Sequence, residues 1–315
     1  QALYTQFDYK FFERLSASLG MRWERYTLDR SDKDAKPVFR AGINYQAADL
    51  TFVRASFGQG YRYPSMAEKY TSTGLGGLKI FPNYVLQPET GWSAEIGLKQ
   101  GFLAGGWRGY ADVAAFWTEY DDMIEFVFGV YNPPGVPATI DHIGFKSVNT
   151  GKARIYGIDL SFSGHGSIGR MALHYFAGYT YVNPLDLSDD TTITEKGEDQ
   201  VLKYRYKHTA KGDVSLHFMK ADLGITMQYR SFMQRIDEAF EEPILGQYFF
   251  PGLKDYRNQN NKGSVVINMR VGWQVSTASK ISLHVNNLFN KEYMGRPGDL
   301  QPPRSISLQY VLKIN

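Results

Sequence analysis

Long stretches of strict two-residue alternation run through this chain, and few folds accommodate them. In the last segment Ile306, Leu308, Tyr310, Leu312 and Ile314 share one face, and Ser307, Gln309, Val311 and Lys313 share the other. Residues 265 to 275 set Val265, Ile267, Met269, Val271, Trp273 and Val275 against Val266, Asn268, Arg270, Gly272 and Gln274. Successive side chains of a strand point to opposite faces, so this is the period of a β-strand with two different surroundings. Thirteen such segments occur, with apolar phases starting at Leu3, Leu15, Phe39, Thr51, Ala94, Ala111, Tyr156, Met171, Ala210, Leu223, Val265, Ile281 and Ile306. The apolar phase is free of Asp, Glu, Lys and Arg. The interleaved phase carries Asp8, Lys10, Arg22, Arg40, Arg54, Glu95, Asp112, Asp159, Lys211, Asp213, Arg270 and Lys313.

A soluble antiparallel sheet also pairs an apolar face with a polar one. Its strands average about 5–6 residues, whereas several segments here are roughly twice that, the length a tilted membrane strand needs. Trp23, Tyr45, Trp117, Tyr181, Tyr229 and Trp273 sit on the apolar phase near segment ends, as in the interfacial girdles of membrane barrels. The pattern predicts an all-β, transmembrane antiparallel β-barrel. Closure is required because an unpaired strand edge in hydrocarbon costs several kcal/mol per polar group.

Composition narrows the alternatives. A net charge of +3 lacks the basic excess of a nucleic-acid binder. With 43% hydrophobic and 21% charged residues, disorder is excluded as the main state. The absence of Cys removes disulfides, thiolate metal sites and cysteine nucleophiles. No apolar stretch reaches the length of a membrane helix.

Connections alternate in length. Short ones are expected around Glu13-Arg14, Ala47-Ala48-Asp49, Ala104-Gly105, Gly164-His165-Gly166-Ser167, Lys220-Ala221 and Thr277-Ala278. Long ones are expected from Asp29 to Lys36, Arg62 to Pro88, Asn132 to Asp141, Asn183 to Tyr206, Met233 to Lys262 and Asn290 to Arg304. Short periplasmic turns and long outer loops are the outer-membrane pattern. Thirteen strands is an odd number for a closed bacterial barrel, and Gln1-Ala2-Leu3-Tyr4 reads like the middle of a strand. The expectation is that residues 1–315 are a single barrel domain, the C-terminal portion of a larger barrel.

Several segments resemble the barrel domain of TonB-dependent outer-membrane receptors. Phe57 to Tyr70 is similar to that family's "GFRAPS..ELY", and Phe81-Pro82-Asn83-Tyr84-Val85-Leu86-Gln87-Pro88-Glu89 to its "NPNLKPE". Tyr120-Asp121-Asp122-Met123-Ile124 is similar to "YNDIKDLI". Asn149-Thr150-Gly151-Lys152-Ala153-Arg154-Ile155-Tyr156-Gly157 resembles "NVGKARIKG". Tyr204-Arg205-Tyr206-Lys207-His208 stands where "YRPKH" occurs, with Tyr206 in place of proline, and Asn287-Leu288-Phe289-Asn290-Lys291-Glu292-Tyr293 resembles "NLFDKEY". The resemblance implies a 22-stranded barrel around an N-terminal plug, with the plug and the first strands outside this chain. It implies outer-membrane lipid around the wall and a TonB complex engaged through the N-terminal region. The expected cargo is a scarce nutrient complex: a siderophore-like iron complex, a cobalamin, a glycan or a peptide. A surface lipoprotein is an expected accessory. Haem is disfavoured, because Arg62 to Glu89 contain no His.

A passive porin and an outer-membrane hydrolase are the rival readings. Asp213 and His217 share the polar phase, but nothing marks a nucleophile, and catalysis needs a complete constellation. No catalytic residue, cofactor or metal ligand set is expected. Asp186, Asp189, Asp190, Glu195, Glu198 and Asp199 match no calcium-ligand template and read as a solvated acidic loop. Gly74, Gly76 and Gly77 lack the strand-to-helix setting of a phosphate loop. The candidate ligand anchors are aromatic and Arg side chains of the two longest loops, Arg62, Tyr63, Tyr70, Tyr84, Tyr248 and Phe249. Such groups give large contact area at low entropic cost. The structural alternative is loop self-packing.

Overall fold

In the computed structural model seventeen strands form among the described residues. The structure describes residues 1–28, 33–75, 78–187, 200–244, 246 and 248–314. The strands are β1 (Ala2–Phe11), β2 (Leu15–Thr27), β3 (Lys33–Ala48), β4 (Thr51–Arg62), β5 (Thr73–Leu75), β6 (Leu78–Phe81), β7 (Glu89–Ala104), β8 (Trp107–Asp121) and β9 (Ile124–Val130). There follow β10 (Ile143–Asn149), β11 (Ala153–Ile168), β12 (Met171–Asp186), β13 (His208–Phe218), β14 (Ala221–Arg230), β15 (Ser264–Gln274), β16 (Ser279–Asn286) and β17 (Ser305–Leu312). Two short helices, α1 (Met66–Tyr70) and α2 (Leu253–Gln259), lie in connections. No helix among the described residues is long and apolar enough to cross a membrane.

All thirteen alternating segments belong to one antiparallel sheet, ordered β1-β2-β3-β4-β7-β8-β11-β12-β13-β14-β15-β16-β17. Every wall strand pairs with the next wall strand in the chain. Among the described residues β1 pairs only with β2, and β17 only with β16. The two faces match the two phases of the sequence. Large apolar groups stand exposed on one face, Leu19 and Ile96 at 60% and Leu308 at 74%. A soluble sheet buries such a face, whereas a membrane wall turns it to lipid.

The other face carries charge, and the charge is neutralised locally. Arg54 on β4 reaches across β7 to β8, meeting Glu95 at 3.0 Å and both oxygens of Asp112 at 2.9 Å. Arg270 on β15 meets both oxygens of Asp213 on β13 at 2.9 Å, and Lys280 meets Asp222 at 2.7 Å. A recurring device lays these arginines flat. Arg40, Arg54 and Arg270 each lie directly opposite a glycine of the neighbouring strand, Gly20, Gly97 and Gly224. A Cβ added at those glycines would approach the arginine within 2.6, 2.7 and 2.3 Å. Gly224→Val should therefore push Arg270 off Asp213. The expected loss is about 1–3 kcal/mol, from overpacking and the broken charge-assisted bonds. It is measured as a lower temperature for losing the compact, heat-modifiable form on a gel.

One edge of the sheet carries only tight turns. Gly105 and Gly106 join β7 to β8 with φ of +55° and +83°, the positive-φ pair that a two-residue hairpin of this twist demands. The expected turn at Gly164–Ser167 is corrected. Those residues lie inside β11, and the turn comes later, at Gly169–Arg170, between β11 and β12. Gly164 and Gly166 are small because the Tyr175 hydroxyl and the Trp107 ring lie over them, at 2.4 Å from a notional Cβ in each case.

The opposite edge carries the long connections, except that the one expected from Asp29 to Lys36 is shorter, because residues 33–36 already pair with β2 as the start of β3. The one expected over Asn132–Asp141 runs from Asp122 to Lys152 and contains the hairpin β9–β10. That hairpin joins β5 and β6 in a second, four-stranded sheet, ordered β5-β6-β10-β9. The β6–β10 pairing is parallel and links two different connections. Asp189, Asp190, Glu195, Glu198 and Asp199, of the acidic loop, and Gly76 and Gly77 lie outside the described residues.

Candidate functional site

The long connections are knitted into one layer above the sheet edge, and the residues of the sequence motifs do the knitting. Asn83 donates from its side chain to the Ser147 carbonyl at 2.8 Å. Asn149 accepts from the Gln87 N–H at 2.9 Å and donates to the carbonyls of Gln87 and Asp122 at 3.0 and 2.8 Å. These bonds supply partners to irregular backbone that has no ladder of its own. Asn287, at φ +48°, does the same for the β16–β17 connection. It donates to the Lys291 carbonyl and accepts from the Lys291 N–H, both at 2.8 Å.

Arg62 ends β4 as a staple. Its guanidinium binds Glu89 at 2.7 Å and Glu68 at 2.8 Å, and Glu89 in turn accepts from the Ile124 N–H at 2.9 Å. Glu68 completes a capping box with Ser65 at the start of α1. Tyr63, 8% exposed, stacks on Tyr26 at 5.3 Å. Arg62 and Tyr63 are therefore engaged in holding the loop. Tyr70 and Tyr84 form an exposed aromatic pair, 5.7 Å between centroids, with Tyr84 64% exposed. Tyr248 is exposed on the β14–β15 connection. Its neighbour Phe249 meets Phe128 of β9 edge-on at 5.9 Å, and Phe128 meets Phe145 at 5.0 Å. The six candidates do not converge on one point. They divide into loop supports and outward-facing aromatics.

Burial raises the Glu68 carboxyl, but the Ser65 N–H, Arg62 and the Ser65 hydroxyl outweigh it and leave the group below its usual range. A lowered acid stabilises the fold above the usual carboxylate range and loses that contribution as pH falls through its folded value. Acidification should thus release α1. Loss of a cap of about 1 kcal/mol corresponds to roughly fivefold faster cleavage within residues 63–72. Glu68→Gln should make that cleavage independent of pH.

A central contact escaped the sequence reading. Asp237, 3% exposed, accepts from the Lys203 ammonium and the Tyr204 hydroxyl. The Tyr204 N–H donates to the Arg235 carbonyl at 2.9 Å. Leu202 beside them packs on Met123 and Ala153. This joins the β8–β11, β12–β13 and β14–β15 connections. Glu125 of β9 also lies here, and burial raises its carboxyl against the lowering influence of Arg205. The hydrolase pair is not assembled, since Asp213 is occupied by Arg270, Thr226 and Ser215. His217 stacks edge-on against His174 at 5.6 Å, and His174 stacks on His165 at 5.4 Å. No group of three His, Asp or Glu among the described residues is placed to hold a metal ion.

Comparison with known proteins gives one consistent result. A sequence-family model described as "TonB dependent receptor-like, beta-barrel" matches residues 1–288. The copper transporter OprC superposes with a TM-score of 0.71 at 17% identity, over 99% of this chain and 47% of its own. The hemophore receptor HasR of Serratia marcescens, solved with its hemophore HasA and heme, gives 0.66 at 16%, over 99% and 50%. The siderophore receptor PirA of Pseudomonas aeruginosa gives 0.64 at 14%, over 99% and 47%. The chain thus spans about half the length of these solved structures.

Proposed function

The chain belongs to the TonB-dependent receptor-like β-barrel family, and from that premise we propose that it supplies wall and surface loops of an outer-membrane importer. The cargo is a scarce metal-containing nutrient complex, of the siderophore-like iron or cobalamin kind. The observation that carries this reading is the asymmetry of the two sheet edges. One edge has turns of a few residues, and the other has a hydrogen-bonded, ion-paired loop layer presenting Tyr70, Tyr84 and Tyr248. Aromatic groups held on ordered loops are efficient capture surfaces. The structural neighbours named for copper, heme and a siderophore support metal-containing cargo. Transport energy comes from the inner-membrane proton gradient, relayed by TonB through a plug region outside residues 1–315.

The test uses the full-length receptor in cells stripped of other uptake routes. Accumulation of labelled ferric chelates, hemin, cobalamin and copper is followed with and without TonB. One class should accumulate only when TonB is present. Equal accumulation without TonB, or passive sugar leakage through the receptor in liposomes, would instead support a porin.

A further inference from the structure

The β14–β15 and β16–β17 connections, with Tyr206 of the β12–β13 connection, line a half-open pocket of about 190 Å³ that no candidate residue from the sequence borders. Its lining is built and held in place. Phe232, the buried Met233, Tyr206 and Tyr256 give it an aromatic, apolar interior. The Tyr206 hydroxyl donates to the Gly295 carbonyl at 2.5 Å, which ties the β12–β13 connection to the β16–β17 connection. Arg257 stacks over Phe232 at 4.7 Å while binding Glu241 at 2.6 Å and the Met233 carbonyl at 2.8 Å. Its charge is already answered.

The charge of three other lining groups is not. Lys262, Lys291 and Arg296 are exposed at the cavity rim, and their side chains make no ion pair or hydrogen bond among the described residues. The lining holds one acid, Glu292, which faces Tyr256. Three unanswered cations outnumber Glu292 and the Asp299 carboxylate beside Gly295, which leaves the rim a positive field over an apolar floor, and such a field draws anions. The volume lies below the roughly 300 Å³ at which drug-sized pockets begin, so a single substituted ring suits it better than a larger body. An inorganic anion would leave the apolar floor unused, and a neutral ring would leave the cations unused.

We propose that this cavity binds an organic anion bearing one aromatic ring, of the arylcarboxylate class, with the ring against Phe232 and Tyr256 and the carboxylate toward Lys291 and Arg296. The group is either a free small molecule or the exposed part of a larger cargo. The proposal deepens the importer reading and rests on it only for the idea that these loops face the ligand.

The test measures binding to the purified full-length receptor in detergent, by saturation-transfer NMR and calorimetry at low salt. Benzoate is the probe. Benzyl alcohol supplies the ring without the charge, and inorganic phosphate supplies the charge without the ring. Benzoate should bind about tenfold or more tightly than either, as expected where buried area and charge act together. The Lys291→Gln/Arg296→Gln pair, at exposed positions, should weaken benzoate by about tenfold and remove most of its salt dependence. Phe232→Leu, which keeps the floor apolar, should weaken benzoate while leaving the salt dependence in place. Equal affinity for benzyl alcohol and benzoate, or parent affinity in the Lys291/Arg296 variant, would overturn the site. Displacement of benzoate by the transported cargo would place the ring on that cargo, and benzoate binding that the cargo does not displace would indicate a separate small ligand. TonB-independent accumulation would defeat the importer and leave the benzoate result standing. Lost benzoate selectivity would defeat the cavity with TonB-driven uptake intact.

Discussion

Asp237→Ala should loosen the loop layer by about 3–5 kcal/mol, the usual penalty for leaving one partner of a buried ion pair alone. The carboxylate is almost fully buried, and its two donors come from the β12–β13 connection. Truncation strands the Lys203 ammonium, whose side chain is only 20% exposed, together with the Tyr204 hydroxyl. The damage should stay local, because the wall strands make none of these bonds. Hydrogen exchange across residues 200–206 and 233–241 should speed by roughly two to four decades while β11 to β15 keep their protection. Replacing the pair together, Lys203→Met with Asp237→Leu, should restore much of the protection, since no buried charge is then left unanswered. Unchanged exchange in the alanine variant would remove Asp237 from the account of how the loops are held.

Ile267→Arg should impair insertion by about 2–4 kcal/mol, the cost of arginine near mid-bilayer on the lipid face. Ile267 lies in the middle of β15 opposite Met227 of β14, on the face that also shows Val265 and Val271. Leu308→Arg on β17 should behave similarly. Ser307→Arg, one residue away on the opposite face, should insert far more readily. Refolding yield into lipid vesicles reads the difference. Similar yields for the Leu308 and Ser307 variants would show that the faces are wrongly assigned.

The wall was legible because each of its strands carries its own signal. A period of two, repeated over long segments, needs no knowledge of distant residues. The loop layer was not legible, because its order comes from pairings between segments far apart. Lys79 opposite Gly144 is a parallel pairing across more than sixty residues, and neither β6 nor β10 has a pattern that names its partner. Asp237 gives no periodic signal at all. Arg62 and Tyr63 are expected ligand anchors because surface loops rich in Arg and Tyr commonly are, and their contacts with Glu68, Glu89 and Tyr26 are pairings that no local pattern names. The loop's own order had one local clue: Ser65 followed three residues later by Glu68 is the capping-box signature. Gly164 and Gly166 read as a turn, although a glycine in a strand equally marks the place where a neighbouring ring lies across the backbone.

Lipid on one face of the wall and water on the other is the arrangement on which every site above depends. The chain has no Cys, so a single introduced Cys gives a unique spin-label position within it. Labels placed one at a time from Val265→Cys to Val271→Cys, in the receptor reconstituted into a bilayer, report collisions with oxygen, which partitions into lipid, and with a nickel chelate, which stays in water. Positions 265, 267, 269 and 271 should favour oxygen, and 266, 268 and 270 the nickel chelate, in strict alternation. Uniform access to the nickel chelate, or alternation in the opposite phase, would contradict the membrane wall and the importer built on it.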